Sequence, residues 1–347
     1  MMARRRADAG ELAALIQGEQ TDEVRALEDR IAARALGGID ARFDILTRRS
    51  ITAWVAAFGR VQAEASNPGV LRRILAAIRA AIRRLLGPLS ARAEEALSEA
   101  LLEAMRLGAR QHAAFLDEAT GQDRRPVSVR PSRRLRNRVS AVAEAVAERR
   151  DRALAMLRPG RVRRWTDAQT GIAVARSATS AVRTHITTVV GEAVNEATQA
   201  AIDHTGAKKL WVAERDACVN CAAYAGLTVA TDAQFPAGLS WDPNQRGRRT
   251  EAVDAPPLHP YCRCRVVAWQ DAWAQEGVIS MPDAMRREAR RSIARGWSLP
   301  TESGAARIRA ARELLRTGAG LPRSVEEVAR LAVAAGRFQN RTAPTGP

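Results

Sequence analysis

Cys218-Val219-Asn220-Cys221 and, after 37 intervening residues, His259-Pro260-Tyr261-Cys262-Arg263-Cys264 are the two stretches on which the reading of this chain turns. The first has the pair spacing of a zinc knuckle, in which both sulfurs reach one ion from a tight turn. His259-x-x-Cys262 repeats that spacing, and Cys264 adds a fifth candidate donor. Zinc takes four ligands in a tetrahedron, so one of Cys218, Cys221, His259, Cys262 and Cys264 is spare or stands behind the others. Two i, i+3 chelates favour Cys218, Cys221, His259 and Cys262. If Cys262-Arg263-Cys264 is extended, alternation puts both sulfurs on one face and Cys264 can replace His259. Spacing leaves both sets open.

All four cysteines lie between 218 and 264, which argues against a disulfide framework spread over the chain. Clustered thiols beside a histidine point to metal first in a reducing compartment; reduced thiols or one or two disulfides are the competing account. Residues 208–269 hold Trp211, Tyr224, Phe235, Trp241, Tyr261 and Trp269 together with many Gly and Pro. Short strands are expected at Leu210–Ala213 and Cys264–Trp269, with irregular loops between. Such a unit has few periodic apolar residues with which to build a core of its own. A structural zinc supplies roughly 10–16 kcal/mol of apparent binding energy in comparable units. Catalytic zinc is the weaker fit. A nucleobase deaminase shows His-x-Glu ahead of Pro-Cys-x-x-Cys, whereas Cys-x-x-Cys comes first here and no His-x-Glu exists. Glu214, Asp216 and Asp254 lie near in sequence, but acids on loops are mostly solvated. Gly-rich phosphate loops, His-Glu-x-x-His and Gly-x-Ser-x-Gly are all missing, so no catalytic residue is assigned.

Outward from this unit the sequence reads as helix. Asp167 to His204 forms one long helix with a stripe at Val182, Ile186, Val189, Val190, Ala193 and Ala197, stopped by Thr205-Gly206. Residues 8–66 read as two or three helices broken at Gly37-Gly38 and ending near Asn67-Pro68. Leu71, Ile74, Leu75, Ile78, Ile82, Leu85 and Leu86 fall on one helical face and Arg72, Arg73, Arg79, Arg83 and Arg84 on the other, with Gly87-Pro88 as the expected end. That basic amphipathic helix suits either an anionic membrane surface or, the preferred reading, a bundle. Another helix covers 89–117. Residues 121–137 read as a linker or arm, Ser324-x-x-Glu327 as a capping box opening a last helix, and 340–347 as a disordered tail. His112, His185 and His204 read as surface or capping residues without a role.

Length and composition set the frame. At 347 residues the chain has room for roughly two or three domains, and its Ala/Leu/Arg/Glu bias with 4% aromatics favours long helices. The fold class expected is mainly α: a helical scaffold with long helices plus a small zinc-stabilised, loop- and strand-rich α+β subdomain. No run of about 18 apolar residues suggests a membrane span. The start, Met-Met-Ala-Arg-Arg-Arg, runs into acids rather than into an apolar signal core, which suggests a cytoplasmic origin. Net charge is +17, and residues 121–165 carry fourteen Arg against Asp123, Glu144, Glu148 and Asp151, which is +10. Such charge suits a polyanion, most simply nucleic acid. A solvated charge run and the Arg-for-Lys bias of a GC-rich genome account for it equally well, and few aromatics are present for base stacking.

One family resemblance covers about 165–270. Arg183-Thr184 and Glu192-Ala193-Val194-Asn195 on a long helix, then Trp211, Asp216-Ala217-Cys218-Val219-Asn220-Cys221, Gly226 and Pro256-Pro257-Leu258-His259-Pro260-Tyr261-Cys262-Arg263-Cys264 follow one another in order. This resembles the phage head morphogenesis domain, the minor head proteins similar to protein F of phage Mu. The Pro-Pro-x-His-Pro-x-Cys-Arg-Cys stretch is its most specific part. The resemblance implies a non-enzymatic virion protein, in the capsid interior or at the portal vertex and in the host cytoplasm during assembly. It also implies partners such as portal or major capsid protein, copies of itself, and packaged double-stranded DNA touched by the Arg-rich 121–165 stretch. Some members carry fused protease or toxin modules; no such signature is visible in 1–160 or 280–347. The organisation expected is an N-terminal helical region at 1–120, a basic arm and helix at 121–164, the head-morphogenesis-like domain at 165–280 with its zinc unit at 208–269, and a helical region at 281–347. A zinc-stabilised nucleic-acid-binding protein without a capsid role, and a toxin or transferase fused to a phage-type domain, are the alternatives.

Overall fold

A computed structural model describes residues 7–249, 251–273 and 280–344. The basic start at 1–6 and the last residues of the expected tail, 345–347, lie outside the described residues. The chain is mainly helical with a small antiparallel sheet. In order it runs α1 (Ala9–Ala14), a π-helical turn at Leu15–Gln20, α2 (Thr21–Leu36), α3 (Ile39–Phe58), α4 (Pro68–Thr120), α5 (Arg133–Met156) and α6 (Trp165–Asp203). There follow β1 (Lys208–Val212), α7 (Cys221–Tyr224), β2 (Thr228–Val229), β3 (Arg265–Trp269), α8 (Met281–Arg295), α9 (Gly304–Arg316) and α10 (Arg323–Ala335). No described helix is long and apolar enough to cross a membrane.

Two compact units interleave along the sequence. One comprises Met1–Ala26, Leu102–Pro131 and Val190–Pro347; the other comprises Leu27–Leu101 and Ser132–Val189. The division falls inside α2, α4 and α6, and once between α4 and α5 at Pro131.

In the second unit the long helices pack by their stripes. Leu71, Leu75, Ile78, Ile82 and Leu86 of α4 are buried, as the sequence period predicts, so this face belongs to a helical core. Trp54 is fully buried and meets Phe58 at 4.8 Å and Trp165 at 6.2 Å between ring centroids. Gly37-Gly38 does break the helices, both glycines having positive φ. Gly87-Pro88 does not. Helix α4 continues through Pro88 to Thr120, because Leu89, Ala93 and Leu97 extend the buried stripe on the far side and their packing outweighs the lost amide bond.

The first unit holds the sheet, in the order β2-β1-β3, both pairs antiparallel. Its core is one continuous cluster: Leu210, Trp211, Tyr224, Phe235 and Val266–Trp269 from the 208–269 region pack with Leu12, Ile16, Phe115, Met281, Ile293 and Leu314. The expectation that 208–269 lacks apolar material therefore needs correction. Its aromatic and β-branched residues are buried, and helices from three separated chain segments complete their core. A buried polar knot ties the same segments together. Arg265 donates to the Oε1 of Gln111 at 2.6 Å and of Gln20 at 3.3 Å, while Gln20 and Gln111 exchange side-chain to backbone bonds at 2.9 Å.

Further differences are local. The arm is irregular only over 121–132, since Ser132 caps α5 through the amide of Leu135. Ser324 lies inside α10 and forms no cap; the helix starts one residue earlier, with the amides of Val325 and Glu326 on the carbonyl of Pro322. Residue 341 is not part of a free tail, because Arg341 donates to Ser298 Oγ at 2.9 Å and to the Glu302 carbonyl at 2.7 Å.

Candidate metal centre

Sheet register brings the two cysteine stretches together. Val212, the last residue of β1, pairs with Arg265, the first of β3, so the chain leaving β1 and the chain entering β3 emerge side by side. Cys218 and Cys221 follow the first of these ends, and His259, Cys262 and Cys264 precede the second. In the Cys218–Cys221 turn the amide of Cys221 approaches Cys218 Sγ at 3.4 Å, and the amide of Ala222 bonds the Cys218 carbonyl at 2.9 Å as α7 begins. The second turn closes with Cys262 N–H on the His259 carbonyl at 3.1 Å. Tyr261 within it has φ 64°, the left-handed region that side chains usually avoid. A turn held in that conformation directs His259 and Cys262 toward the same place.

All five expected donors converge, and all four thiols are free and buried. Cys218 Sγ lies 3.0 Å and Cys221 Sγ 3.2 Å from His259 Nε2, and Cys221 Sγ lies 3.5 Å from Cys262 Sγ. Two triads result, Cys218–Cys221–His259 and Cys221–Cys262–Cys264, each with its donor atoms within 4.8 Å of one another. Cys221 belongs to both. With zinc–sulfur bonds of about 2.3 Å, the edge of a tetrahedral site is about 3.8 Å, so these separations suit donors gathered around one ion. His259 Nδ1 sits 2.7 Å from the Pro260 carbonyl, which can only accept; Nδ1 therefore carries the hydrogen and Nε2 faces the sulfurs. The cluster can hold a metal ion.

The electrostatics match a set of donors that share too few protons. Burial lowers the His259 imidazole, but its hydrogen bond to Cys218 and the charges of Cys218 and Cys262 outweigh that and hold it at about 10. Cys218 and Cys262 are held low, chiefly by hydrogen bonds from Cys221, whereas the Cys221 and Cys264 thiols are pushed up. A divalent cation among them replaces protons as the counter-charge.

Residues that spacing did not reveal brace the two turns. Asn195 of α6 donates from Nδ2 to the Cys264 carbonyl at 3.1 Å and accepts Val266 N–H at 3.0 Å, clamping the backbone that carries Cys264. It appeared in the sequence only as part of Glu192-Ala193-Val194-Asn195, with nothing local to link it to the cysteines. Arg307 is fully buried, donates to the Ala217 carbonyl at 2.9 Å and pairs with Glu302 at 3.0 Å; Glu302 in turn accepts the amide of Val219 at 2.8 Å. This ion pair grips both sides of Cys218, and no local pattern could have announced it.

Glu214 corrects the picture of solvated acids. It is buried, and desolvation first, then the charge of Asp216, raises its carboxyl to about 8 despite Arg25 at 3.4 Å. Asp254 is exposed and Asp216 half-buried. His112 is corrected too: it is buried, with neither ring nitrogen hydrogen-bonded among the described residues. His185 is half-buried and His204 exposed. No protein-family model, curated protein or solved structure matches the chain.

Proposed function

We propose that the cluster binds a single structural zinc and that the chain is a minor head protein of a phage or prophage, acting in head assembly near the portal and in DNA packaging or delivery. The observation that carries the metal half is the convergence of five soft or borderline donors from two turns that are far apart in sequence. Thiolate and imidazole together suit zinc, and a buried, thiolate-rich set suits a closed structural site rather than one with an open position. Four of Cys218, Cys221, His259, Cys262 and Cys264 would hold the ion, with Cys221 among them because both triads share it. The zinc would fix the loops at 214–221 and 256–264 against the sheet, making this an α+β zinc subdomain on a helical scaffold. It would supply fold rather than reaction chemistry.

The head assignment is supported by the Pro256-to-Cys264 stretch and its order after the long helix α6. Portal or major capsid protein and copies of this chain are the partners that follow from it, with the virion as destination. Packaged double-stranded DNA is supported by a separate observation. Arg133, Arg134, Arg136 and Arg138 are exposed in the first turns of α5, where cations oppose the helix dipole at about 0.3–1 kcal/mol each. Residues placed against helix stability suit an external anion such as a phosphate backbone. That observation also favours the second reading, a zinc-stabilised nucleic-acid-binding protein with no capsid role.

The two are separated by induction of the virus or prophage that encodes the chain. Purified heads should contain the chain at a few copies each, and it should co-sediment with portal complexes. Heads that lack it, together with salt-steep binding of free duplex DNA by the purified protein, would overturn the head reading in favour of the second.

A further inference from the structure

Helix α4 carries a wider apolar stripe than its own unit covers. Ile74 and Leu85 are only half-buried, and with Ile78 they form one wall of an open groove of about 350 Å³. The facing wall comes from Leu46, Ser50 and Ala53 of α3, with Ile45 at its edge 42% exposed. Small residues, Ala77 and Ala81 on α4 and Ala53 opposite, keep the groove open above the buried Leu46, Ser50 and Ile78. Arg42, Arg49 and Arg84 stand on the rim, and no carboxylate among the described residues lines the groove. Among the described residues none of these three guanidiniums has an ion-pair or hydrogen-bond partner.

We propose that this groove seats an acidic amphipathic helix of a partner protein. From Ile74 to Leu85 it runs along three turns of α4, roughly 16 Å at 1.5 Å per residue, the length of a short docked helix. A helix laid there would place apolar side chains at i, i+3 or i+4, and i+7 against the two walls, the usual anchors of helix-in-groove recognition. Asp or Glu on its flanks would meet the three unpaired arginines, giving orientation and encounter rate as well as selectivity. A bilayer fits less well, because its acyl chains require apolar groups that project outward, whereas these line concave walls behind charged rims. The inference rests on neither the metal cluster nor the head assignment.

The test uses the full chain and a fluorescein-labelled synthetic helix of about four turns, some 14 residues, with leucines at the anchor spacing and glutamates on both flanks. Anisotropy should show saturable binding, while the same peptide with lysines in place of the glutamates, or with a scrambled order, should bind at least about tenfold more weakly. Arg49→Glu should weaken the acidic peptide by a similar factor, and Ala81→Trp, which fills the groove, should abolish binding. Arg72→Glu removes as much charge outside the groove and should leave affinity unchanged, which separates the groove from general attraction to a basic protein. Circular dichroism and melting keep the variants comparable; if Ala81→Trp misfolds, the exposed Arg49 and Arg72 variants decide alone. Equal effects of Arg49→Glu and Arg72→Glu, equal binding of the lysine peptide, or displacement of the peptide by phosphatidylglycerol vesicles would each overturn the proposal.

Discussion

Arg307 shows how a single side chain far along the sequence from the metal donors can set their geometry. With Glu302 it forms a buried ion pair that holds the carbonyl of Ala217 and the amide of Val219, the two neighbours of Cys218. Burial raises the Glu302 carboxyl and lowers the Arg307 guanidinium, so each is kept charged by the other. Removing one partner of such a pair costs about 3–5 kcal/mol, because the remaining charge is stranded. Urea unfolding of Arg307→Met should show a loss of that size, largely recovered in the double variant with Glu302→Gln; equal losses in single and double variants would contradict the pairing. His112 offers a second residue-scale prediction. Desolvation holds its folded value at about 4 against 6.5 for the free side chain, so the native state keeps it neutral. The stability this contributes is complete above about pH 6.5 and is lost as pH falls toward 4, roughly 3 kcal/mol in all. His112→Gln should flatten that part of the stability–pH curve, and an unchanged slope would refute the assignment. The cysteine and histidine donors were readable because chelate spacing is local. Asn195, Arg307 and buried Glu214 were not, because their meaning comes from residues tens of positions away.

At the scale of elements, α4 is the instructive case. Gly37-Gly38 separates α2 from α3, both glycines taking positive φ. Gly87-Pro88 carries the same local signal, yet the stripe from Leu71 to Leu97 is continuous and buried across it, and packing prevails. Pro88 still removes one amide bond and crowds the preceding turn. Pro88→Ala should therefore raise stability, by about 1–3 kcal/mol, without changing helix content. A loss of stability on calorimetry would mean that the proline shapes a bend on which the packing depends. The short elements α7 and β2 were invisible in sequence, being too brief for any period to show.

For the whole molecule, the interleaving of its two units was the feature least accessible to linear reading. Boundaries near 120, 164 and 280 follow changes of composition, whereas the compact units exchange chain inside helices that look uniform. The long helices were legible because apolar periodicity is strong there, and the sheet's two main strands because each is a short apolar run beside turn residues. The shared core around Trp211, Tyr224 and Phe235 was not, because its partners lie in α1, α4, α8 and α9. That core changes what loss of an ion should do. The sheet and its helices should persist, while the loops at 214–221 and 256–264, left with the Arg307–Glu302 pair and Asn195 as braces, should loosen. Native mass spectrometry of the full chain, purified with reduced thiols, tests this most directly. A single bound zinc is expected, absent in Cys221→Ser, with hydrogen exchange rising in those two loops and not in β1 or β3. A metal-free chain whose thiols are reduced and whose loops remain protected would contradict the account.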